Sequence, residues 1–142
     1  MLVGVIHSHT GTRMIPELGG ITNKMPIVAF LVMGGFLASL GLPGMSGFVA
    51  EFLTLMGAYP ALPVYVLLAL VGILITASYY IWAMQRALFG PYNEALGEVK
   101  DVGAIQMIPM AVLLGLIILF GLHPAPILKL FESVAALVEV LI

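Results

Sequence analysis

Three long stretches without a charged residue constrain this chain more than any other feature. They are Met25–Ala50, Phe52–Gln85 and Val102–Leu128, and none of them contains Asp, Glu, Lys or Arg. A helix that crosses a bilayer needs about 20 apolar residues, so each stretch is long enough to cross. The chain has 142 residues, of which 8% are charged, whereas a soluble domain usually carries about 25%. We therefore expect an all-α integral membrane protein.

Composition also excludes several classes of function. The net charge is −2 and no basic block is present, so nucleic acid is not an expected partner. Cys is absent, which rules out disulfides and thiolate ligands. His7 and His9 lack a third ligand nearby, and we interpret them as part of an interfacial loop rather than a metal site. We expect no metal and no cofactor in this chain.

The first apolar segment, Pro26–Tyr59, is much longer than one straight crossing requires. It is interrupted by Gly41, Leu42, Pro43 and Gly44, residues that disfavour a continuous helix. Two arrangements are compatible with this interruption. Either two half-helices follow one another with an unwound break between them, or the chain turns back as a hairpin at Pro43-Gly44.

The distribution of basic residues favours the broken helix over the hairpin. With one broken span, only Lys129 lies on the opposite side from the other four cations, which are Arg13, Lys24, Arg86 and Lys100. With a hairpin this bias vanishes, contrary to the usual excess of Lys and Arg in cytoplasmic loops. We therefore predict three transmembrane spans, the first a broken helix, with the N-terminus and the loop Gly90–Gly103 cytoplasmic and the C-terminus outside.

Two turn-forming segments and a polar tail complete the predicted organisation. Ala58–Pro63 separates the first span from the second, and His123-Pro124 should end the third. The tail Ile127–Ile142 mixes charged residues with Leu, Phe and Val. We expect it to form an amphipathic helix at the membrane interface or against a partner, because it is too polar to span.

Glu51 is the residue most strongly indicated for function. It lies within two turns of the predicted break and is separated by at least 25 residues from any other charge in the chain. An ionisable group at this depth is costly and by default marks an ion or proton path. Because desolvation favours the neutral form of a carboxyl group, a buried one can take up and release protons near neutral pH. We predict that Glu51 is a proton relay, and the alternative is a structural carboxylate bonded to free amides at the break.

Small and polar residues are predicted to support Glu51. Helical spacing places Gly47 and Thr54 on its face, and Ser46 begins the second half-helix. This face is small and polar enough to admit water beside the carboxylate. Phe48 and Phe52 flank it and are expected to keep bulk solvent out.

The stretch Ala38–Phe52 closely resembles the broken-helix motif of the antiporter-like subunits of complex I. Upstream, Thr12-Arg13 and Glu17–Ile21 resemble the cytoplasmic loop that precedes this helix in the family. Downstream, Arg86–Pro91 resembles the end of the next span. The match is best to the subunit called chain 4 or chain M, because the chain 2, chain 5 and Mrp-type relatives typically carry Lys where this sequence has Glu51.

The resemblance implies both a place in a larger subunit and a role. Residues 1–142 would form a single membrane domain corresponding to the C-terminal three spans of a fourteen-span subunit. Glu51 would be the terminal proton-carrying residue of a half-channel that faces the outside. The family's other key residues, a Glu–Lys pair and a central Lys, have no counterpart here, so the chain resembles the C-terminal portion of such a subunit and should not pump alone.

The resemblance also implies partners and a location. The chain would be a subunit of a redox-driven proton pump that uses NADH, reduced deazaflavin (F420H2) or ferredoxin and reduces a quinone. It would contact other membrane subunits, including the N-terminal part of the same antiporter-like subunit, and flavin and iron–sulfur clusters would reside in other subunits. The membrane would be the plasma membrane of a prokaryote or a thylakoid. The alternatives are a subunit of an Mrp-type cation/proton antiporter or of a membrane-bound hydrogenase, and a purely structural membrane subunit.

Overall fold

The structure, a computed structural model, describes residues 2–131, and these are helical with no β-strand. Five α-helices follow in chain order: α1 (Leu2–Thr10), α2 (Pro26–Ser39), α3 (Ser46–Ala58), α4 (Pro63–Leu88) and α5 (Ala104–Leu122). Two short 3₁₀ helices, Ile21–Asn23 and Glu94–Leu96, lie in the loops. Residues 125–131 are also helical. Most of the predicted amphipathic tail, residues 132–142, lies outside the described residues.

Proline marks several of the helix boundaries. Pro26 and Pro63 occupy the first positions of α2 and α4, where the missing N–H costs nothing and the fixed φ suits a helix. The predicted turn at Ala58–Pro63 is confirmed, because α3 ends at Ala58 and α4 begins at Pro63. α5 ends at Leu122, directly before His123-Pro124, as predicted.

Two of the helices are long and apolar enough to cross a bilayer alone. These are α4, with 26 residues, and α5, with 19. α2 and α3 are equally apolar in character but have only 14 and 13 residues. At 1.5 Å per residue, each of them covers about 20 Å, which is less than the roughly 30 Å of a hydrocarbon core.

α2 and α3 follow one another along the antiparallel helix α4. At one end, the Thr22 hydroxyl, just before α2, donates to the Leu88 carbonyl at 2.7 Å. Further along, the rings of Phe36 in α2 and Tyr80 in α4 lie 5.6 Å apart. Still further along α4, Ile73 lines the same cleft as Glu51 of α3. α5 runs parallel to this pair, with Leu114 against Gly34 of α2 and Leu122 against Gly44 after it.

The loop before α2 and the loop after α4 pack together at the end where α2 begins. The Asn93 side chain donates to the Glu17 carbonyl at 2.6 Å, and its backbone N–H donates to the Gly19 carbonyl. Gly20 has a φ of 58°, and a β-carbon there would lie 2.6 Å from the Gly90 carbonyl oxygen, so only glycine allows this approach. The most buried side chains lie here, and they are Ile21, Met25, Val28 and Leu88.

Asp101 ties the second of these loops to the start of α2. Its carboxylate accepts hydrogen bonds from the backbone N–H groups of Ile27 at 2.8 Å and Val28 at 3.3 Å. It also accepts one from Val102 at 2.8 Å. Met25, the residue before α2, provides no side-chain cap, so Asp101 satisfies from a distance amides that are usually capped locally.

The interpretation of residues 7–9 as a loop was wrong. His7, Ser8 and His9 lie in the last turns of α1, which packs on α2 with Leu2 against Gly35. α1 is held by side-chain bonds to its own carbonyls, such as Thr10 to Ile6 at 2.8 Å. Nine helical residues carrying two His and two hydroxyls gave no apolar periodicity long enough to indicate a helix.

Candidate functional site

α2 ends in a glycine-based cap. The Gly41 N–H bonds to the Ala38 carbonyl at 3.3 Å, and the Leu42 N–H bonds to the Leu37 carbonyl at 3.2 Å. Gly41 has a φ of 72°, the left-handed conformation that this pair of bonds requires. Two of the carbonyls left free at the helix end are thereby satisfied without any side chain.

A tight turn then separates α2 from α3. The Met45 N–H donates to the Leu42 carbonyl at 3.0 Å, which places Pro43 and Gly44 at the centre of the turn. Gly44 has a φ of 95°, as the third residue of a type II turn requires. The four residues predicted to interrupt the helix, Gly41–Gly44, all lie in this non-helical segment, which comprises residues 40–45 and is called the break below.

The break is packed against the end of α5 through backbone atoms. A β-carbon on Gly121 would lie 2.3 Å from the Gly44 carbonyl oxygen and 2.5 Å from the Met45 α-carbon. No side chain larger than hydrogen fits at this distance. Gly121 therefore sets how closely α5 approaches the break, a role that the sequence reading missed because a glycine near a helix end is most often a cap.

The Glu51 carboxylate folds back over the break. Side chains on a helix point toward its N-terminus, and in α3 this direction brings the carboxylate to Gly41. A β-carbon on Gly41 would lie 2.6 Å from Glu51 Oε2 and 3.3 Å from its Cδ. The carboxylate thus occupies the space that any larger residue at position 41 would fill. Within residues 2–131, the Glu51 carboxylate makes no hydrogen bond and no ion pair.

Glu51 also lines an open cleft between α3 and α4. This cleft has a volume of about 280 Å³ and is bordered by Ala50, Glu51, Thr54, Leu55 and Ile73. The Thr54 hydroxyl donates to the Ala50 carbonyl at 2.7 Å. Glu51 itself is exposed in this chain, so the apolar cover expected from Phe48 and Phe52 is not provided here. Those two rings instead stack on each other, 5.4 Å apart.

The other predicted supporting residues, Ser46 and Gly47, lie in the first turn of α3. Ser46 and Gly47 border a second cavity that reaches α1, α2, α4 and α5. At Gly47, a β-carbon would lie 2.7 Å from the Ala38 carbonyl oxygen and 3.9 Å from the Gly41 α-carbon. Glycine at position 47 lets the first turn of α3 rest directly on the end of α2. The structure therefore brings Thr54 beside Glu51 but places Ser46 and Gly47 around the break.

No metal-binding cluster is present in the part of the chain that the structure describes. No group of three or more His, Cys, Asp or Glu side chains lies close enough there to hold a metal ion. The chemistry that the described site offers is that of one carboxyl group at a helix interruption, next to a hydroxyl and free space.

The segment that contains the break and Glu51 matches a known protein family. Residues 1–76, which contain α1, α2, the break and Glu51, match the family described as NADH:quinone oxidoreductase/Mrp antiporter, transmembrane. The chain belongs to this family. This membership confirms the family resemblance that was predicted from the stretch Ala38–Phe52. Because the family is a transmembrane one, the chain is part of a membrane protein.

Individual relatives of this family are similar over nearly the whole chain. F420H2 dehydrogenase subunit M of Methanosarcina mazei is 52% identical over 130 residues, which cover 92% of this chain and 26% of that protein. NADH-quinone oxidoreductase subunit M of Rhodobacter capsulatus is 37% identical over 141 residues, or 98% of this chain and 28% of that protein. Both are M-type subunits, as predicted from Glu51.

A solved structure shares the fold. A chain of respiratory complex I from Thermus thermophilus with bound NADH superposes with a TM-score of 0.76 at 36% identity, covering 87% of this chain and 26% of that one. The chain therefore spans about a quarter of the length of the relatives it matches. This coverage agrees with the prediction that the chain corresponds to one portion of a longer subunit.

Proposed function

We propose that this chain is part of a membrane subunit of a redox-driven proton pump, in which Glu51 carries protons through a half-channel that opens to the outside. The observation that carries the proposal is the position of the Glu51 carboxylate. It lies over the Gly41 backbone at a helix interruption, it has no partner among residues 2–131, and it borders an open cleft. A carboxyl group at a break in an apolar segment is typical of ion and proton pathways.

The proposed topology has three crossings. α2 and α3 together form the first, since they follow one another along α4 and jointly supply 27 helical residues, with α4 and α5 as the other two. The loops that contain Lys24 and Lys100 pack together at one end. That end is cytoplasmic by the positive-inside rule. The cleft beside Glu51 then opens toward the outer half of the membrane.

The assembly proposed for this chain is of the F420H2 dehydrogenase type. The identity to subunit M of that enzyme, 52%, exceeds the 37% to an NADH-quinone oxidoreductase subunit M. Electron transfer would then run from reduced deazaflavin through flavin and iron–sulfur clusters in other subunits to a membrane-soluble carrier. The proposed location is the plasma membrane of a prokaryote. The remaining three quarters of the antiporter-like subunit is the proposed immediate partner.

Proton translocation by the assembled complex carrying Glu51→Gln tests the proposal. Gln keeps the size of the side chain and removes the titratable proton, so electron transfer should continue while the number of protons moved per electron falls. Glu98→Gln is a matched control, because Glu98 is an exposed acid in the loop between α4 and α5. An unchanged proton stoichiometry in Glu51→Gln, with the complex fully assembled, would assign Glu51 a structural role instead.

A further inference from the structure

A groove lies at the end of the bundle where the loop before α2 meets the loop after α4. It has a volume of about 420 Å³ and is called the rim groove below. This volume falls within the range of roughly 300–1,000 Å³ that is usual for ligand sites. The residues that border it include Ile15, Leu18, Arg86, Phe89, Tyr92 and Asn93. Among the described residues, Arg86 is the only charged one on its walls.

The Arg86 guanidinium has an aromatic partner but no acidic one. Its central carbon lies over the Trp82 ring, 4.6 Å from the ring centre. Within residues 2–131, the Arg86 side chain makes no hydrogen bond and no ion pair. A guanidinium that stacks on a ring still carries N–H donors, and these match the paired oxygens of a carboxylate or a phosphate. Arg86 therefore offers the rim groove an unused site for an anion.

The charges around the rim groove also favour an anion. Lys24 lies over the Tyr92 ring, with its Nζ atom 5.7 Å from the ring centre, and Tyr92 borders the groove. Glu17 and Glu94 are close in sequence to the walls, but neither borders the groove. The Glu17 carboxylate accepts a hydrogen bond from the Thr12 hydroxyl. An anion in the groove would thus meet one cation directly and find a second on the Tyr92 ring.

The rim groove continues into one exposed face of α4. Ile75, Tyr79, Trp82 and Arg86 are all exposed, and their spacing of three or four residues places them on the same side of the helix. Along this face the side chains change from aliphatic to aromatic to cationic. The distance from Ile75 to Arg86 along the axis is about 16 Å, close to the roughly 15 Å of one leaflet's hydrocarbon. A phospholipid has the same order of parts, because aromatic belts lie at headgroup level beside the acyl chains.

We propose that the rim groove binds the headgroup of an anionic phospholipid, whose phosphate pairs with Arg86 and whose acyl chain lies along the exposed face of α4. By the proposed topology this lipid belongs to the cytoplasmic leaflet, where basic pockets at helix ends recognise anionic headgroups. A carboxylate from the remaining part of the subunit would also pair with Arg86. It would not account for the aliphatic-to-aromatic order along the same face. The proposal does not depend on the role of Glu51.

Photo-crosslinking in the assembled complex tests which molecule occupies the rim groove. The probe is a phosphatidylglycerol with a photoactivatable diazirine near its headgroup, and mass spectrometry maps the peptides that acquire it. The label should fall on residues 15–19 or 86–93. An excess of unlabelled phosphatidylglycerol should suppress this labelling. The same excess of phosphatidylcholine should compete several-fold less, because its choline cation meets like charge at Arg86 and Lys24.

Variants of Arg86 test whether its guanidinium holds the headgroup. Arg86→Gln should lower the labelling of these peptides several-fold. Lys100→Gln is the matched control, because Lys100 is an exposed cation in the loop after α4 that does not border the groove. Arg86→Lys keeps the charge without the paired donors and should restore part of the labelling.

Each contrary outcome identifies a different error. Equal competition by phosphatidylcholine would show a surface for any lipid and overturn the proposal. Absence of label from residues 15–19 and 86–93 would show that protein fills the groove. Suppression by millimolar inorganic phosphate would indicate a site for a free anion. Equal labelling of Arg86→Gln and Lys100→Gln would also overturn the proposal. If Arg86→Gln does not assemble, the competition in the unaltered complex still decides, and none of these results bears on Glu51→Gln.

Discussion

Replacing Gly41 with Ala should displace the Glu51 carboxylate while leaving its chemistry intact. The new β-carbon would lie 2.6 Å from Oε2, whereas non-bonded heavy atoms prefer about 3.5 Å or more, so the carboxylate must withdraw by roughly 1 Å. A misplacement of about 1 Å in a reacting group can cost on the order of a hundredfold in rate. Gly41→Ala should therefore slow proton transfer at an unmodified Glu51.

Gly44→Ala provides the matched control for the backbone. Both glycines have positive φ, 72° at Gly41 and 95° at Gly44. An L-residue in the left-handed region costs about 1–2 kcal/mol at either position. A β-carbon on Gly44 would meet only Leu122, at an ordinary 3.7 Å. The two variants thus share the backbone strain, and only Gly41→Ala also moves the carboxylate.

The assay is proton translocation per electron in sealed vesicles that contain the assembled complex, with thermal stability measured on the same preparations. Similar losses of stability are expected for both variants, and a marked loss of pumping only for Gly41→Ala. If both variants retained full proton translocation, the position of the carboxylate over Gly41 would not matter for function, and the argument would be refuted. Equal loss in both would show that strain in the break alone accounts for the effect.

Two further variants test contacts at the two ends of α2, one at its start and one at the break. Asp101→Ala removes the distant cap of α2 and should lower the stability of the complex by about 1–2 kcal/mol, seen as a lower midpoint of thermal unfolding. Glu98→Ala in the same loop should have no such effect. Gly121→Ala should cost about 1–3 kcal/mol through overpacking against Gly44 and should impair pumping. Gly115→Ala in the same helix, where a β-carbon meets nothing within 4 Å, should be neutral or stabilising. A tolerated Gly121→Ala would contradict the close approach of α5 to the break.

The sequence could predict those helices that are long and apolar enough to be recognised without knowledge of their contacts. α4 and α5 follow from long apolar stretches without a charged residue. Pro63 begins α4, and Pro124 follows the end of α5, as is usual for proline at helix boundaries. The interruption at Gly41–Gly44 was predictable for the same reason, because glycine and proline act locally. α1 was missed because its nine residues carry no such pattern.

Contacts between distant segments could not be predicted from local patterns. Asp101 lies 74 residues from Ile27, whose amide it binds. An isolated acid in a polar loop gives no sign of such a partner. Gly121 was likewise an ordinary residue until the fold brought it against the break. Glu51 was recognisable from the sequence because the free-energy cost of placing a carboxyl group in an apolar segment depends on the residue and its neighbours in the chain.

The exposure of Glu51 in this chain shows where sequence reasoning was incomplete. A charge-free neighbourhood predicted a buried carboxylate, yet α3 and α4 leave one side of Glu51 open. Relatives of this chain are about four times longer. In the proposed assembly the remaining part of the subunit would cover this side, so the apolar surroundings inferred from the sequence belong to the whole subunit.

Within residues 2–131, the break offers the Glu51 carboxylate backbone groups and no cation. Two carbonyls at the end of α2 already accept hydrogen bonds, whereas the first turn of α3 has no side-chain cap. The uncompensated groups near Gly41 and Gly47 are therefore amide N–H groups, which favour an anion by about 0.3–1 kcal/mol. Removing one partner of a buried ion pair, by comparison, costs about 3–5 kcal/mol. A helix end is therefore a much weaker partner than a cation, and the contacts of the break alone should not hold the Glu51 carboxylate against the β-carbon of Gly41→Ala.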